Sequence, residues 1–330
     1  MGEFDRIARL ARRFGLPPSP AIGIGDDCAL VPPMDRWTAW KVDASVEGVH
    51  FDRAFVSLEA AAARAVEAAM SDLAAAGATP RWSDRGGCGL LVALTLPMDL
   101  SENDFDAVID GIARSAERVG AIVLGGNLSG GPALSITTTA IGRIETRGMR
   151  RHGAKPGDRV YVTGVVGAAG LGLRVLQRVV SKAPHEATPQ LDARFEPFAA
   201  RWRSPRARIA EGLFIATFAH ASVDLSDGLA ADLGHVARAS NCGIVLDLAA
   251  LPMLPDQREC AAALGLDATE LALHGGEDYE VAFTAEELPS PPADLASFTD
   301  IGECIATPGI FVRDAQGSRA IVPRGFNHFA

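Results

Sequence analysis

The run SLEAAAARAVEAAMSDLAAAGA, residues 57–78, constrains the fold more than any other stretch. It is Ala-rich and ends at Gly77, a common helix stop, so it reads as one long helix. Its small residues mark it as a buried helix, yet it carries Asp72. A lone carboxylate in such a place costs several kcal/mol unless it is paired, hydrogen-bonded or bound to a metal. The bland alternative is an acid on the polar face of the helix, out in water.

Around this helix the pattern alternates between strand and helix. Residues 3–14 have helical spacing. WTAWKVD (37–43) reads as a strand ending in an acid, CGLLVALTL (88–96) as a strong strand, and 101–119 as a helix. AIVLGGN (121–127) is a buried strand running into a Gly pair, and ALSITTTAIGRI (133–144) is β-branched and strand-like. The Gly and Pro punctuation of RRHGAKPGDRVYVTG (150–164) marks the best boundary, giving domains 1–149 and 150–330. Beyond it, 168–180 and 204–219 look helical, 243–248 and 275–284 contain strands, and the poorly patterned 181–200 reads as a surface loop. The mixture implies an α+β chain of two αβ domains with mixed sheets.

Composition excludes several classes. Acids outnumber bases by 41 to 31, for a formal charge of −10, which argues against a nucleic-acid binder. No apolar run reaches the ~18 residues of a membrane span. The start, MGEFDRIARLARRFG, lacks the apolar core of a signal peptide. Five scattered cysteines (Cys28, Cys88, Cys242, Cys260, Cys304) form no CxxC pair. They suggest reduced thiols and a cytoplasmic setting.

Acids recur at element ends. Asp26 and Asp27 lie in GIGDDCAL, Asp43 closes a strand, and Glu277 with Asp278 follows a double Gly. In SVDLSDGLAADLGHV (222–236), Asp224, Ser226 and Asp227 stand where a strand hands over to a helix. Helix capping accounts for one such residue; a metal or phosphate site is the other reading of all three. Oxygen ligation by several Asp, without a His or Cys cluster, suits Mg²⁺, and Mg²⁺ suits ATP phosphates. There is no GxxxxGK[ST] motif. GVVGAAGLG (164–172) offers either a nucleotide loop or tight helix packing, and its spacing is wrong for GxGxxG. The GGN at 125–127 is a better place for a backbone to approach phosphates. His50, seven residues beyond Asp43, is open to a structural or a functional reading.

Taken in order, GEFDRIARL, GIGDDCALV, VDASVEGVHF, MSDLAAAGATPRW, GGN, RHGAKPGDRVYVTG, VDLSDGLAADLGHV, LHGGEDYEVAFT and GFNHF resemble the thiamine-monophosphate kinase family from end to end. The resemblance implies PurM-like N- and C-terminal domains, a homodimer formed through the N-terminal sheet, and ATP with several Mg²⁺ ions. It places Asp27, Asp43, Asp72, Asp224 and Asp227 among the metal ligands. Gly126, Asn127, Arg151 and Ser226 fall at nucleotide positions. His50, Glu277 and Phe326 fall at positions that hold the small phosphorylated substrate.

The chain departs from that pattern. Lys41 and Val42 stand where the family has hydroxyl residues, Asn127 where it has the Asp of GGDT, and Phe326 where it has Tyr. The reading adopted is that the Lys41 ammonium takes the place of one Mg²⁺, and that Asn127 avoids a surplus charge. Against this stands a Lys41 pointing to solvent. The departures keep open a paralogous kinase or ATP-dependent activating enzyme for another phosphorylated metabolite, and a non-catalytic ATP-binding protein.

Overall fold

The computed structural model describes residues 3–15, 35–82, 88–182 and 191–325. These divide between two compact units, Met1–Leu73 with Ala78–Glu145, and Ala74–Gly77 with Thr146–Ala330.

The first unit contains α1 (Glu3–Phe14), β1 (Thr38–Val46), α2 (Leu58–Ala75, whose last two residues count with the second unit), β2 (Ala78–Thr79), β3 (Gly89–Leu96), α3 (Glu102–Val119), β4 (Val123–Gly130) and β5 (Ser135–Ile144). Among the described residues the strands form a mixed sheet ordered β1-β5-β3-β4, with β2 beside β5. Alternation assigns its two faces. Leu90, Val92, Leu94 and Leu96 of β3 and Ile136, Thr138 and Ala140 of β5 are buried on one face. That face carries α2, whose Leu73 lies against Gly142 of β5. α3 begins at Ser101, whose hydroxyl accepts the Asp104 N–H at 3.1 Å, and ends at Gly120 in the left-handed region. Gly111 of α3 lets α2 come close: a Cβ there would meet the Glu59 carbonyl at 2.0 Å. Among the described residues the opposite face lies open at β1. Trp40 and Val42 of β1 stand 65% and 59% exposed on it.

The second unit contains β6 (Arg159–Thr163), α4 (Ala168–Lys182), a 3-10 turn (Ala193–Phe195), α5 (Glu196–Arg203), α6 (Ile209–Ile215), β7 (Ala221–Asp224), α7 (Leu229–Ser240), β8 (Gly243–Asp247), α8 (Gln257–Ala263), α9 (Ala268–His274), β9 (Val281–Ala285), β10 (Phe298–Ile305), β11 (Gly309–Asp314) and β12 (Gly317–Ile321). Its strands are ordered β12-β11-β8-β10-β6-β9-β7 and mixed, with β11 parallel to β8. Successive residues feed two cores. Val160, Val162 and Ala282 pack with Leu229, Leu233 and Val236 of α7. Tyr161, Val281 and Phe283 pack with Ile215 of α6.

Two expectations need correction here. The segment 181–200 is not all loop: α5 starts within it, and Phe195, Phe198 and Trp202 are buried anchors at helical spacing. The helix expected at 204–219 is confined to Ile209–Ile215, because Pro205 has no N–H to continue a helix across it. Among the described residues no helix is long and apolar enough to cross a membrane.

Thr138 is fully buried and its hydroxyl has no hydrogen-bond partner. An orphaned buried hydroxyl costs more than the methyl that would replace it. Thr138→Val is therefore expected to raise stability by about 1 kcal/mol, read as a higher urea midpoint with an unchanged slope.

Candidate active site

In the first unit, strand alternation puts Lys41 and Asp43 on the face of β1 that looks toward α2. Lys41 Nζ lies 3.1 Å from Asp43 Oδ1 and 2.9 Å from Asp72 Oδ2. The carboxylate that the buried helix could not carry alone is thus paired, and Lys41 does not point into solvent. Burial lowers the affinity of Lys41 for its proton, but Asp72 and Asp43 outweigh it and the ammonium is held above its usual range. Asp43 is pushed up to about 6, by burial first and then by the Asp72 carboxylate, with Lys41 opposing. His50 closes the turn after β1: its Nδ1 accepts the Val46 N–H at 3.1 Å, so only Nε2 can face another partner.

Gly126 and Asn127 lie elsewhere. β4 runs through the Gly pair instead of ending before it, and a Cβ at Gly126 would meet the Val92 carbonyl at 1.8 Å. The glycine thus admits the neighbouring strand. Asn127 is exposed and pairs with Ala93 on the open face. β1 and β4 are opposite edges of the sheet, about 14 Å apart at ordinary strand spacing. Within one chain Asn127 and Lys41 thus stand on opposite edges of the sheet.

In the second unit, β7 ends at the buried Asp224 and the chain turns into α7. None of Asp224, Ser226 and Asp227 caps the helix. The N-cap position is Gly228, without a side-chain cap. Asp232, in the first turn, fastens the approach to the helix: its Oδ2 accepts the N–H groups of Ser226, Asp227 and Gly228, each at 3.1 Å. Burial and the nearby Asp227 push the Asp232 carboxyl up to about 7, while those N–H groups and Arg151 oppose. Arg151, exposed, thus shares the field of this turn.

A second loop is fastened to the first. Glu277 N–H donates to the Ser226 carbonyl at 2.8 Å, Tyr279 N–H to Leu225 at 2.9 Å, and Leu225 N–H to Glu280 at 2.8 Å. Gly276, Glu277 and Tyr279 all have positive φ (68°, 61° and 50°). For Glu and Tyr this is a strained backbone, of the kind that concentrates at binding sites. Trp202 Nε1 donates to Glu277 Oε2 at 2.5 Å and fixes that side chain. The buried Glu280 is gripped by Arg208 at 2.5 and 2.6 Å and by Thr163 at 2.7 Å. Gly325, the last described residue, lies against Asp227 and Ala231. The fold thus brings Asp224, Ser226, Asp227 and Glu277 together. Asp27 and Phe326 lie outside the described residues.

The glycines of 164–172 serve packing. Gly167 and Gly170 approach the backbone of Ala272 and Gly275, and Gly172 that of Phe198. Asp278, half-buried, accepts the Gly167 and Ala169 N–H groups at 2.6 and 3.1 Å. The anion position at the start of α4 is filled from within the chain, which excludes a nucleotide phosphate there. Burial pushes Asp278 to about 7, with the two N–H groups opposing.

Sequence reasoning missed Asp232 and Trp202. An acid in the first turn of α7 was a usable signal. The partner of Trp202 is 75 residues away, and no local pattern reveals it.

Among the described residues no three His, Cys, Asp or Glu side chains converge as a ready metal centre. The donors of the second unit nevertheless suit a hard divalent cation: Asp224 and Asp227 are oxygen donors on one turn, and no described ammonium or guanidinium ion-pairs with Asp227. The Asp43–Asp72 pair of the first unit does not suit one, because an ammonium already contacts both carboxylates.

The chain is similar to known proteins in sequence and fold. Residues 25–144 match the family model for the AIR synthase related protein, N-terminal domain. Thiamine-monophosphate kinase of Escherichia coli K12 is 37% identical over all of this chain and 98% of its own length. The chain belongs to the thiamine-monophosphate kinase family. Among solved structures, thiamine-monophosphate kinase from Stenotrophomonas maltophilia K279a is 34% identical, with TM-score 0.79 over 94% of this chain and 96% of that one. AaThiL complexed with AMPPCP and TMP is 28% identical, with TM-score 0.79 over 99% and 97%. The α+β architecture of this thiamine-monophosphate kinase family member is PurM-like.

The raised carboxyls set a pH dependence. Asp232 and Asp278 bind protons more tightly folded than unfolded, so the stability they contribute is complete below about pH 4 and is lost as pH rises through 7. In chelator, the melting temperature is expected to fall between pH 5 and 8. Asp232→Asn is expected to flatten that slope, removing on the order of 2 kcal/mol of pH-dependent stability, as thermal scans across the window would record.

Proposed function

We propose that this chain transfers the terminal phosphoryl group of ATP to thiamine monophosphate, giving thiamine diphosphate and ADP. The geometry that carries the reading is the pair of joined loops in the second unit, where Asp224, Ser226 and Asp227 stand beside the strained Glu277. Likeness over the full length to enzymes that bear this name supports it.

The nucleophile is a phosphate oxygen of the substrate, already ionised at neutral pH. No general base is required, and catalysis reduces to positioning and charge neutralisation. Mg²⁺ when bound supplies charge neutralisation on the phosphates. Asp224 and Asp227, with Asp27, are the residues that would hold it. Arg151 and Ser226 serve the nucleotide. Glu277, held by Trp202, orients the substrate together with His50 and Phe326. Locking Glu277 in advance lowers the ordering cost of binding.

Two finer readings belong to the same proposal. The chain works in the cytoplasm. It forms a homodimer through the open face of the first unit's sheet, where Trp40 and Val42 would otherwise stay in water.

The deciding experiment incubates purified protein with ATP, Mg²⁺ and thiamine monophosphate. ADP formed only with thiamine monophosphate, mole for mole with thiamine diphosphate, is the expected result. ATP binding without thiamine diphosphate would point to another phosphorylated metabolite or to a non-catalytic protein. For the dimer, Trp40→Glu is expected to convert a two-chain species into a single-chain one by light scattering after gel filtration. A wild-type chain that already elutes as a single-chain species would refute that face as an interface.

A further inference from the structure

We infer that the Lys41 ammonium is the resident cation of the Asp43–Asp72 pair, standing where a divalent ion would bridge the two carboxylates, so that this chain binds one divalent ion fewer than the same chain without the amine. The inference deepens the proposed reading and rests on it for the need to gather divalent ions.

Three observations carry it. The first is contact. Nζ is within 2.9 Å of one carboxylate and 3.1 Å of the other, and these oxygens come from two different elements, β1 and α2. An ion holding both carboxylates at about 2.1 Å would occupy the space that Nζ fills. The second is attachment. Lys41 and Asp43 are two residues apart on one face of a strand, so the ammonium is tethered beside its first partner and spans to the second. All three side chains are mostly shielded from water, with exposures of 33%, 33% and 27%. The third is the neighbourhood. Val42, between them in sequence, is exposed on the opposite face of the sheet and offers no oxygen to the acids. Thr138, paired in register with Asp43, is neutral. The pair therefore carries two negative charges and one positive, and the amine is the group that balances them. The remaining single charge is a weaker attractor for a divalent ion than the two a bare pair would present.

The test counts ions instead of turnover. Mn²⁺ bound per chain is measured by paramagnetic resonance with a saturating non-hydrolysable ATP analogue, in wild type, Lys41→Ser, Lys41→Arg and Asp72→Asn. Lys41→Ser is expected to bind one Mn²⁺ more per chain, with about tenfold or greater preference for that site over wild type. Lys41→Arg, which keeps the positive charge, and Asp72→Asn are expected to match wild type. Equal counts in wild type and Lys41→Ser, or the loss of an ion in Asp72→Asn, would overturn the inference. Should the variants not fold, Mn²⁺-soaked wild-type crystals decide it by anomalous scattering. Nζ on both carboxylates with no Mn²⁺ peak between them supports the inference, and a peak there with Lys41 turned away defeats it. Assaying thiamine diphosphate separately keeps the two readings apart: a chain with the expected ion count and no product would refute the kinase and leave Lys41 where it is placed.

Discussion

The turn from β7 into α7 depends on one carboxylate. Asp232 gathers the N–H groups of Ser226, Asp227 and Gly228, the three residues that lead into α7. The backbone of the turn is thereby fixed from within the chain. The second loop follows from the first: its N–H groups at Glu277 and Tyr279 bond to the carbonyls of Ser226 and Leu225, so the strained backbone there is held by a turn that is itself held by Asp232. Cost and support are local to each other, which is how left-handed Glu and Tyr residues persist.

The same device recurs at α4. Asp278 satisfies the first N–H groups of that helix from a distant loop, and the buried Glu280 beside it is neutralised by Arg208. The loop of residues 275–280 thus sends side chains in different directions: Asp278 to a helix start, Glu280 to a guanidinium, and Glu277 to Trp202. A buried carboxylate is tolerated only with such partners. Each of these acids serves as a fastening for the loop.

Much of this was legible in the sequence, in proportion to how local the cause was. The Ala-rich helix, the strands at 88–96 and 133–144 and the junction at 222–236 announce themselves through spacing and residue size. The acids at element ends could be picked out because a carboxylate in apolar company needs a reason. What escaped was non-local. Nothing near Asp278 says that it caps α4, and nothing near Trp202 points to Glu277. Glycine reports close approach without naming what approaches, and at Gly126 the sequence could not name β3. Lys41 and Asn127 looked like neighbours because both depart from the same family pattern. Strand order separates them to opposite edges, and only the pairing of strands could reveal that.

Lys41 also bears on what a metal site is for. A divalent ion between two carboxylates must be recruited and can be lost, and its charge lets it serve other anions as well. A lysine ammonium cannot dissociate from the chain, and its single charge is largely spent on the acids that hold it. Exchanging one for the other therefore gives up charge that could face phosphate and gains a pair of elements, β1 and α2, joined without any ion.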